Sequence, residues 1–219
     1  MLKVDLSASG AVYKGLALGS SGGQNYLYAA DFGLGRIDVF DAGFNPVALA
    51  GAFADPTVPV GFTPFNIQNI GGRLYVTYAL QDADAHDDVS GRGNGYVNVF
   101  DPNGVLLKRF ASRGPLNSPW GVVLAPPGFG GYGGALLIGN FGDGRINAFN
   151  PATGGFLGDV HDACGTPISI DGLWGLIFGN GSQAGNTRTL YFSAGIAYNG
   201  NVEDHGLFGR ISPIAPITP

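Results

Sequence analysis

A repeated hairpin pattern is the feature that most constrains how this 219-residue chain can fold. The segment 135–150 reads as an apolar run, a Gly-Asp-Gly turn and a second run with alternating side chains. That pattern predicts two antiparallel strands joined by a tight turn. The same unit recurs at 26–41 and, split by insertions, at 73–79 with 95–101 and at 189–195 with 206–212. The four copies predict four related β-sheets.

Each hairpin is flanked by two further short strands. The strand before it has a small or polar residue at Gly15, Asn66, Gly121 and Gly175, which recur at intervals of 51, 55 and 54 residues. Apolar segments at 45–53, 104–111 and 155–160 follow three of the hairpins as outer strands. Four antiparallel strands in a repeat of this length are typical of a β-propeller blade.

We therefore predict an all-β fold, a β-propeller of four four-stranded blades in a single domain spanning 1–219. The blades cover approximately 13–53, 62–111, 117–160 and 171–212. The fourth repeat has no clear outer strand, because the chain becomes proline-rich after 211. Residues 2–6 resemble a lone outer strand that could close the last blade. The repeat pattern fits both a closed small ring and an arc of a larger ring.

Composition excludes several classes of function. The chain has 11 Lys and Arg against 16 Asp and Glu, a net charge of −5 and no basic cluster, so nucleic acid is not an expected partner. Apolar runs are too short for a transmembrane helix. The first ten residues lack the apolar core of a signal peptide. Cys164 is the single cysteine, so an internal disulfide is impossible.

Polar residues gather in connections that the alternation of strand direction places at one end of the blades. These are the insertion 80–94, the insertion 196–206 and the connection before the fourth blade. Long loops on a rigid scaffold are where binding residues concentrate. We predict that this face binds a polar ligand or a cation. Its candidate residues are Asp82, Asp84, His86, Asp87, Asp88, His161, Asp171, Asp204 and His205.

A divalent cation is one reading of these clusters. Carboxylate oxygens suit Ca²⁺, and histidine beside aspartate suits a transition metal. The candidate metal ligands are His86, Asp87, Asp88, Asp204 and His205. The simpler interpretation is that the acids solvate a long loop and cap its turns through side-chain hydrogen bonds. No catalytic residue is assigned.

Two tryptophans stand at the same position of the repeat. Trp120 and Trp174 each precede the glycine of the first strand of their blade. Indole rings there would either line a channel and stack on a sugar or pack in the core, and core packing is the favoured interpretation.

The chain resembles a known family along essentially its whole length. The resemblance is carried by GAVYKGLALG, LYAADFGLGRIDVFD, GPLNSPWGVVLAP, IGNFGDGRINAFNP and IDGLWGLIFGNG. They are similar to bacterial secreted β-propeller proteins with NHL-like repeats, some of which carry a Pro-Glu-Pro C-terminal sorting tail. The resemblance implies that this chain corresponds to the C-terminal four blades of a six-bladed propeller. It also implies an extracellular or cell-envelope location, and no established activity.

Three functions follow as expectations. The favoured one is a non-catalytic binding or scaffold module at the cell exterior, with a polar ligand, a glycan or a protein as partner. The alternative is a metal-dependent hydrolase or lyase of the gluconolactonase or NHL-lyase type, by analogy of fold. The third is a purely structural surface protein. If the ring is open, its exposed edges predict self-association.

Overall fold

The protein is all-β, with four antiparallel sheets. The computed structural model describes residues 1–198 and 201–213, and the side chains at 197, 198 and 201–204 lie outside the description. Two 3-10 turns, Ser7–Ser9 and Gly130–Tyr132, are the helical elements of the described part. Within those ranges no helix has the length and apolarity needed to span a membrane.

The chain divides into two compact units, Met1–Pro119 and Trp120–Pro219, which are described separately. Each contains two sheets built from strands that follow one another in sequence. The first unit holds β1 (Tyr13–Ser21), β2 (Gln24–Asp31) and β3 (Arg36–Phe40) in its first sheet, and β4 (Phe62–Ile70), β5 (Arg73–Leu80), β6 (Tyr96–Phe100) and β7 (Leu106–Ser112) in its second. The second unit holds β8 (Pro119–Leu124), β9 (Leu136–Asn140), β10 (Ile146–Phe149) and β11 (Phe156–Asp159) in the third sheet, and β12 (Leu173–Phe178), β13 (Leu190–Tyr198) and β14 (Asn201–Ile211) in the fourth.

All four predicted hairpins are confirmed, as β2–β3, β5–β6, β9–β10 and β13–β14. The repeated turn glycine has a conformational reason. Gly35 and Gly144 have φ values of 68° and 69°, in the left-handed region that glycine enters without a steric cost.

The predicted outer strand is present in the second and third sheets, as β7 and β11, but not in the first. Along 45–53 the pairing with β3 is reduced to a bridge between Phe40 and Pro46. Pro46 has no N–H to donate to the ladder. The chain then turns towards the second sheet, where the N–H of Gly51 donates to the carbonyl of Asn103 at 3.0 Å.

The prediction of a closing strand at 2–6 is wrong. These residues have no strand structure, because Asp5 folds the chain locally into the 3-10 turn that follows. The Asp5 carboxylate accepts hydrogen bonds from the backbone N–H and the hydroxyl of Ser7, at 3.0 and 2.6 Å. The interpretation of 1–219 as one domain stays a prediction.

The prediction that 196–206 forms a loop is also wrong. Strands β13 and β14 continue through most of it, with Ile196 paired to His205 and Tyr198 to Asn201. The two strands are therefore longer than their apolar segments suggested.

The core of the first unit lies between its two sheets. Tyr28 of the first sheet and Ile67, Leu74 and Phe100 of the second are fully buried there. A Cβ at Gly15 would overlap Asn66, so glycine allows β1 and β4 to approach closely.

The second unit is built in the same way. Its core combines Leu137 and Ile146 of the third sheet with Leu173 and Leu190 of the fourth. A Cβ at Gly121 would lie 2.8 Å from the carbonyl oxygen of Trp174, so β8 and β12 also meet at a glycine.

Candidate functional site

The insertion 80–94 of the first unit is an ordered loop. It begins as an extension of β5, because Gln81 and Asp88 form an antiparallel bridge and the N–H of Val89 donates to the carbonyl of Leu80 at 2.8 Å. The N–H of Asp82 donates to the carbonyl of Asp87, also at 2.8 Å. The acidic segment is thus the tip of a short hairpin.

Two of its aspartates stabilise the loop through hydrogen bonds to other residues of the same loop. The Asp82 carboxylate accepts the backbone N–H of His86 at 2.9 Å, which closes the tip of the hairpin. The Asp88 carboxylate accepts the hydroxyl hydrogen of Ser90 at 3.2 Å. These are the turn-capping bonds that the simpler sequence interpretation predicts.

Asp87 connects the loop to the first sheet. Its Oδ1 accepts a hydrogen bond from Lys14 Nζ of β1 at 2.9 Å, and its Oδ2 lies 3.2 Å from His86 Nδ1. The hydrogen bond from Lys14 lowers the pKa of the Asp87 carboxyl, and the contact with His86 acts in the same direction. The Asp87 side chain remains 66% exposed.

Uncharged contacts fix both ends of the loop. Gln81 Nε2 donates to the carbonyl of Phe32, in the β2–β3 turn, at 2.6 Å. Asn117 Oδ1 accepts the N–H of Gly91 at 2.6 Å. The loop is therefore held between the first sheet and the segment that leads into β8.

The metal prediction stays a prediction. Among the described side chains, no group of three or more His, Cys, Asp or Glu is gathered closely enough to hold a metal ion. His86 and Asp87 are adjacent, whereas Asp84 is simply exposed. The side chain of Asp204 lies outside the described residues, and His205 is an exposed residue of β14 in the other unit.

In the second unit, His161 lies two residues after the end of β11 and beside a tyrosine. The Tyr132 hydroxyl accepts the backbone N–H of His161 at 3.0 Å, lies 3.2 Å from its Nδ1 and donates to the carbonyl of Asp159 at 2.9 Å. These residues border a cavity of about 130 Å³, which is also lined by Phe129 and Ile211. The imidazole is exposed at its rim.

The connection between β11 and β12 is a second ordered turn. Asp162 Oδ1 accepts the N–H groups of Cys164 and Thr166 at 2.8 and 2.9 Å, in the same capping role as Asp82. Asp171 stands exposed two residues before β12 begins. The connection thus presents His161 and Asp171 to solvent at its two ends.

Three aromatic rings of the second unit form a partly exposed cluster. The rings of Trp120 and Trp174 meet edge to face with centroids 4.4 Å apart, and the Phe141 ring lies 4.3 Å from that of Trp174, tilted by 36°. None of the three is fully buried. The expectation of core packing is therefore only half right, because the indoles pack on each other and still reach solvent.

Acidic residues lie close in sequence to two members of the cluster. Trp174 is the second residue of β12 and follows Asp171 by three positions, while Phe141 is in the β9–β10 turn with Asp143. Asp143 Oδ1 accepts the Asn140 side-chain amide at 3.0 Å and the N–H of Arg145 at 3.1 Å, which orients the turn. Sequence reasoning did not include Phe141, although the repeated Phe in this turn, at 32 and 141, is a visible signal.

Sequence comparison finds relatives but no family. No protein-family model matches the chain. It is 40% identical over 181 residues to the uncharacterized protein R648 of Acanthamoeba polyphaga mimivirus, covering 80% of this chain and 44% of the relative. It is also 40% identical over 199 residues to the uncharacterized protein L690 of the same virus, covering 89% of this chain and 50% of the relative. The chain thus spans about half the length of these curated relatives.

Structural comparison establishes the fold class. The chain superposes on the α-L-arabinanase of Penicillium chrysogenum with a TM-score of 0.56 and 14% identity, covering 91% of this chain and 57% of the arabinanase. The four sheets therefore belong to the β-propeller class, as predicted. At this identity the similarity concerns the fold alone.

Proposed function

We propose that this protein is a non-catalytic binding module whose partly exposed aromatic cluster binds a carbohydrate. The observation that carries the proposal is the contact of Trp120, Phe141 and Trp174 at the start of two strands and in one turn. Rigid strands hold the two indoles, so little conformational entropy would be lost on binding.

The chemistry of the cluster suits a sugar ring. Aromatic faces offer apolar area to the C–H side of a pyranose or furanose, and an indole N–H adds a hydrogen-bond donor. The exposed carboxylate of Asp171, three residues before Trp174, is an acceptor for sugar hydroxyls. A few polar groups beside aromatic area are what a small-ligand site requires.

In this proposal the insertion 80–94 has a structural and binding role. The carboxylates of Asp82, Asp87 and Asp88 already accept hydrogen bonds from the protein itself. Their contacts stabilise the loop and present an acidic surface, which suits a polar ligand or a basic partner surface. The alternative of a metal-dependent hydrolase or lyase would require these residues and those near 205 to share one ion.

The location at the cell exterior is part of the proposal. It rests on the resemblance to bacterial secreted propellers with NHL-like repeats. The mimivirus relatives leave that location as a hypothesis, because they are uncharacterized proteins.

The test is carbohydrate binding by the whole chain, first on a glycan array and then by titration calorimetry of the best ligand. We expect Trp174→Ala to weaken binding at least about tenfold, the size that loss of one stacked ring predicts. The matched control is Phe156→Ala, which removes a 47% exposed ring from β11 of the same unit. Equal affinity for both variants and the unchanged chain would contradict the proposal.

Each titration is repeated after treatment with a chelator and after addition of Ca²⁺. Binding that is unaffected by chelator fits the aromatic site. Binding that needs the cation, and that Asp87→Ala/Asp88→Ala abolishes while Trp174→Ala does not, would favour the metal hypothesis instead.

A further inference from the structure

The first and second sheets correspond strand by strand, which allows their faces to be compared residue by residue. Leu16 pairs with Ala29 across β1 and β2, and Ile67 pairs with Val76 across β4 and β5. Each of these pairs follows directly after the aligned position Gly15 or Asn66. Leu16 and Ile67 are therefore equivalent positions.

In the second sheet this face is an interface between sheets. Ile67, Leu74, Val76 and Phe100 are all 0% exposed and belong to the core shared with the first sheet. The first sheet contributes its opposite face to that core, where Tyr28 is also 0% exposed. Neighbouring sheets of this repeat thus pack through two different faces. We call the face that carries Ile67 in the second sheet the receiving face, and the face that carries Tyr28 in the first sheet the inserting face.

The first sheet leaves part of its own receiving face exposed to solvent, although Phe40 on that face is 4% exposed. Leu16 is 59% exposed and the neighbouring Leu18 is 72% exposed. Leu16, Leu27 and Phe40 line an open apolar cavity of about 230 Å³, bordered by Phe44 and the 3–4 segment. Exposed apolar surface of this kind marks an interaction site.

The fourth sheet displays an inserting face. Its Ile177–Tyr191 pair is equivalent to the buried Ala17–Tyr28 pair of the first sheet. Ile177 is 64% exposed and Phe208 is 72% exposed, and the Tyr191 and Phe208 rings stack at 5.7 Å. One chain therefore carries both halves of the contact that joins the sheets of its first unit.

We propose that a second copy of this chain covers these surfaces, with the inserting face of its fourth sheet packed on the receiving face of the first sheet. The contact is head to tail, since it joins two different surfaces. A second copy is supported as the occupant because the chain itself supplies the complementary face, with Ile177 and Phe208 exposed on its fourth sheet.

The experiment is sedimentation velocity of the whole chain over a concentration series. We expect concentration-dependent self-association of the unchanged chain. Leu16→Glu and Phe208→Glu should each abolish it, because each places a charge in one half of the contact. The control Leu107→Glu alters a 49% exposed leucine of β7 and should associate normally. Circular dichroism verifies that each variant is folded.

Mixing the two deficient variants provides the sharper test. A Leu16→Glu chain keeps an intact fourth sheet and a Phe208→Glu chain keeps an intact first sheet, so the mixture should form a heterodimer. An unchanged chain that stays monomeric up to about 1 mM would overturn the proposal. So would a Phe208→Glu chain that still dimerises, since that result would indicate contact between two first sheets. A mixture that remains monomeric would overturn it as well.

Discussion

The first and second sheets have nearly the same strand pattern and differ in what surrounds them. At equivalent positions, Ile67 is fully buried and Leu16 is 59% exposed. The second sheet also has a complete outer strand, whereas the first has a single bridge at Pro46. Strand formation therefore follows from the local pattern, while burial depends on the neighbour that each face meets.

The largest effect should come from truncating these two equivalent residues. Ile67→Ala leaves a cavity between two sheets and should lower the free energy of unfolding by about 2–5 kcal/mol. Leu16→Ala should cost less than about 1 kcal/mol, because much of the side chain is already solvated. Urea titration at low protein concentration measures both. Equal losses of unfolding free energy would mean that the two side chains are buried to the same extent.

A smaller effect concerns the connection between the two sheets. Asp55, with a side chain only 2% exposed, accepts hydrogen bonds from Arg109 Nε at 3.2 Å and from Asn98 Nδ2 at 3.0 Å, and it pairs with Arg109 Nη2. Burial alone would raise the pKa of Asp55, but the bonds from Thr57 and Arg109 outweigh it and lower the pKa to about 2. The connection is thus held to the second sheet by a buried charge.

Because the folded pKa lies below the unfolded value of 3.8, this carboxylate stabilises the fold above about pH 4. The contribution, about 2 kcal/mol, should be lost as pH falls from about 4 to 2. Asp55→Asn should remove it at pH 7 and flatten that part of the pH profile. The control is Asp84→Asn, which replaces an exposed carboxylate in the insertion 80–94. A profile of Asp55→Asn that keeps the full acid loss would contradict this assignment.

The smallest effect is expected where the first sheet contacts the loop of the second. The ion pair of Lys14 and Asp87 includes a 66% exposed carboxylate, so a double-mutant cycle of Lys14→Met and Asp87→Asn should give less than about 1 kcal/mol. The coupling should decrease further with added salt. A coupling above that value, insensitive to salt, would show that the loop is anchored more firmly to the first sheet than its exposure suggests.

The candidate site was predictable only in part. The acidic loop 80–94 and the capping role of its aspartates follow from residue type and position, since Asp bonds to nearby backbone N–H groups. The aromatic cluster does not, because Trp120, Phe141 and Trp174 come from three separate segments. Their contact requires two strands and a turn to meet.

The sequence by itself determined the four sheets, their strand order and the glycines at turns and close contacts, because these depend on side-chain alternation and backbone conformation over a few residues. Tertiary structure decided the rest. Pro46 and Gly51 direct the chain away from β3, Asp5 turns the segment expected to be a strand, and β13 and β14 pair through an expected loop. Each outcome depends on which backbone groups find partners, and no local pattern specifies a partner distant in sequence.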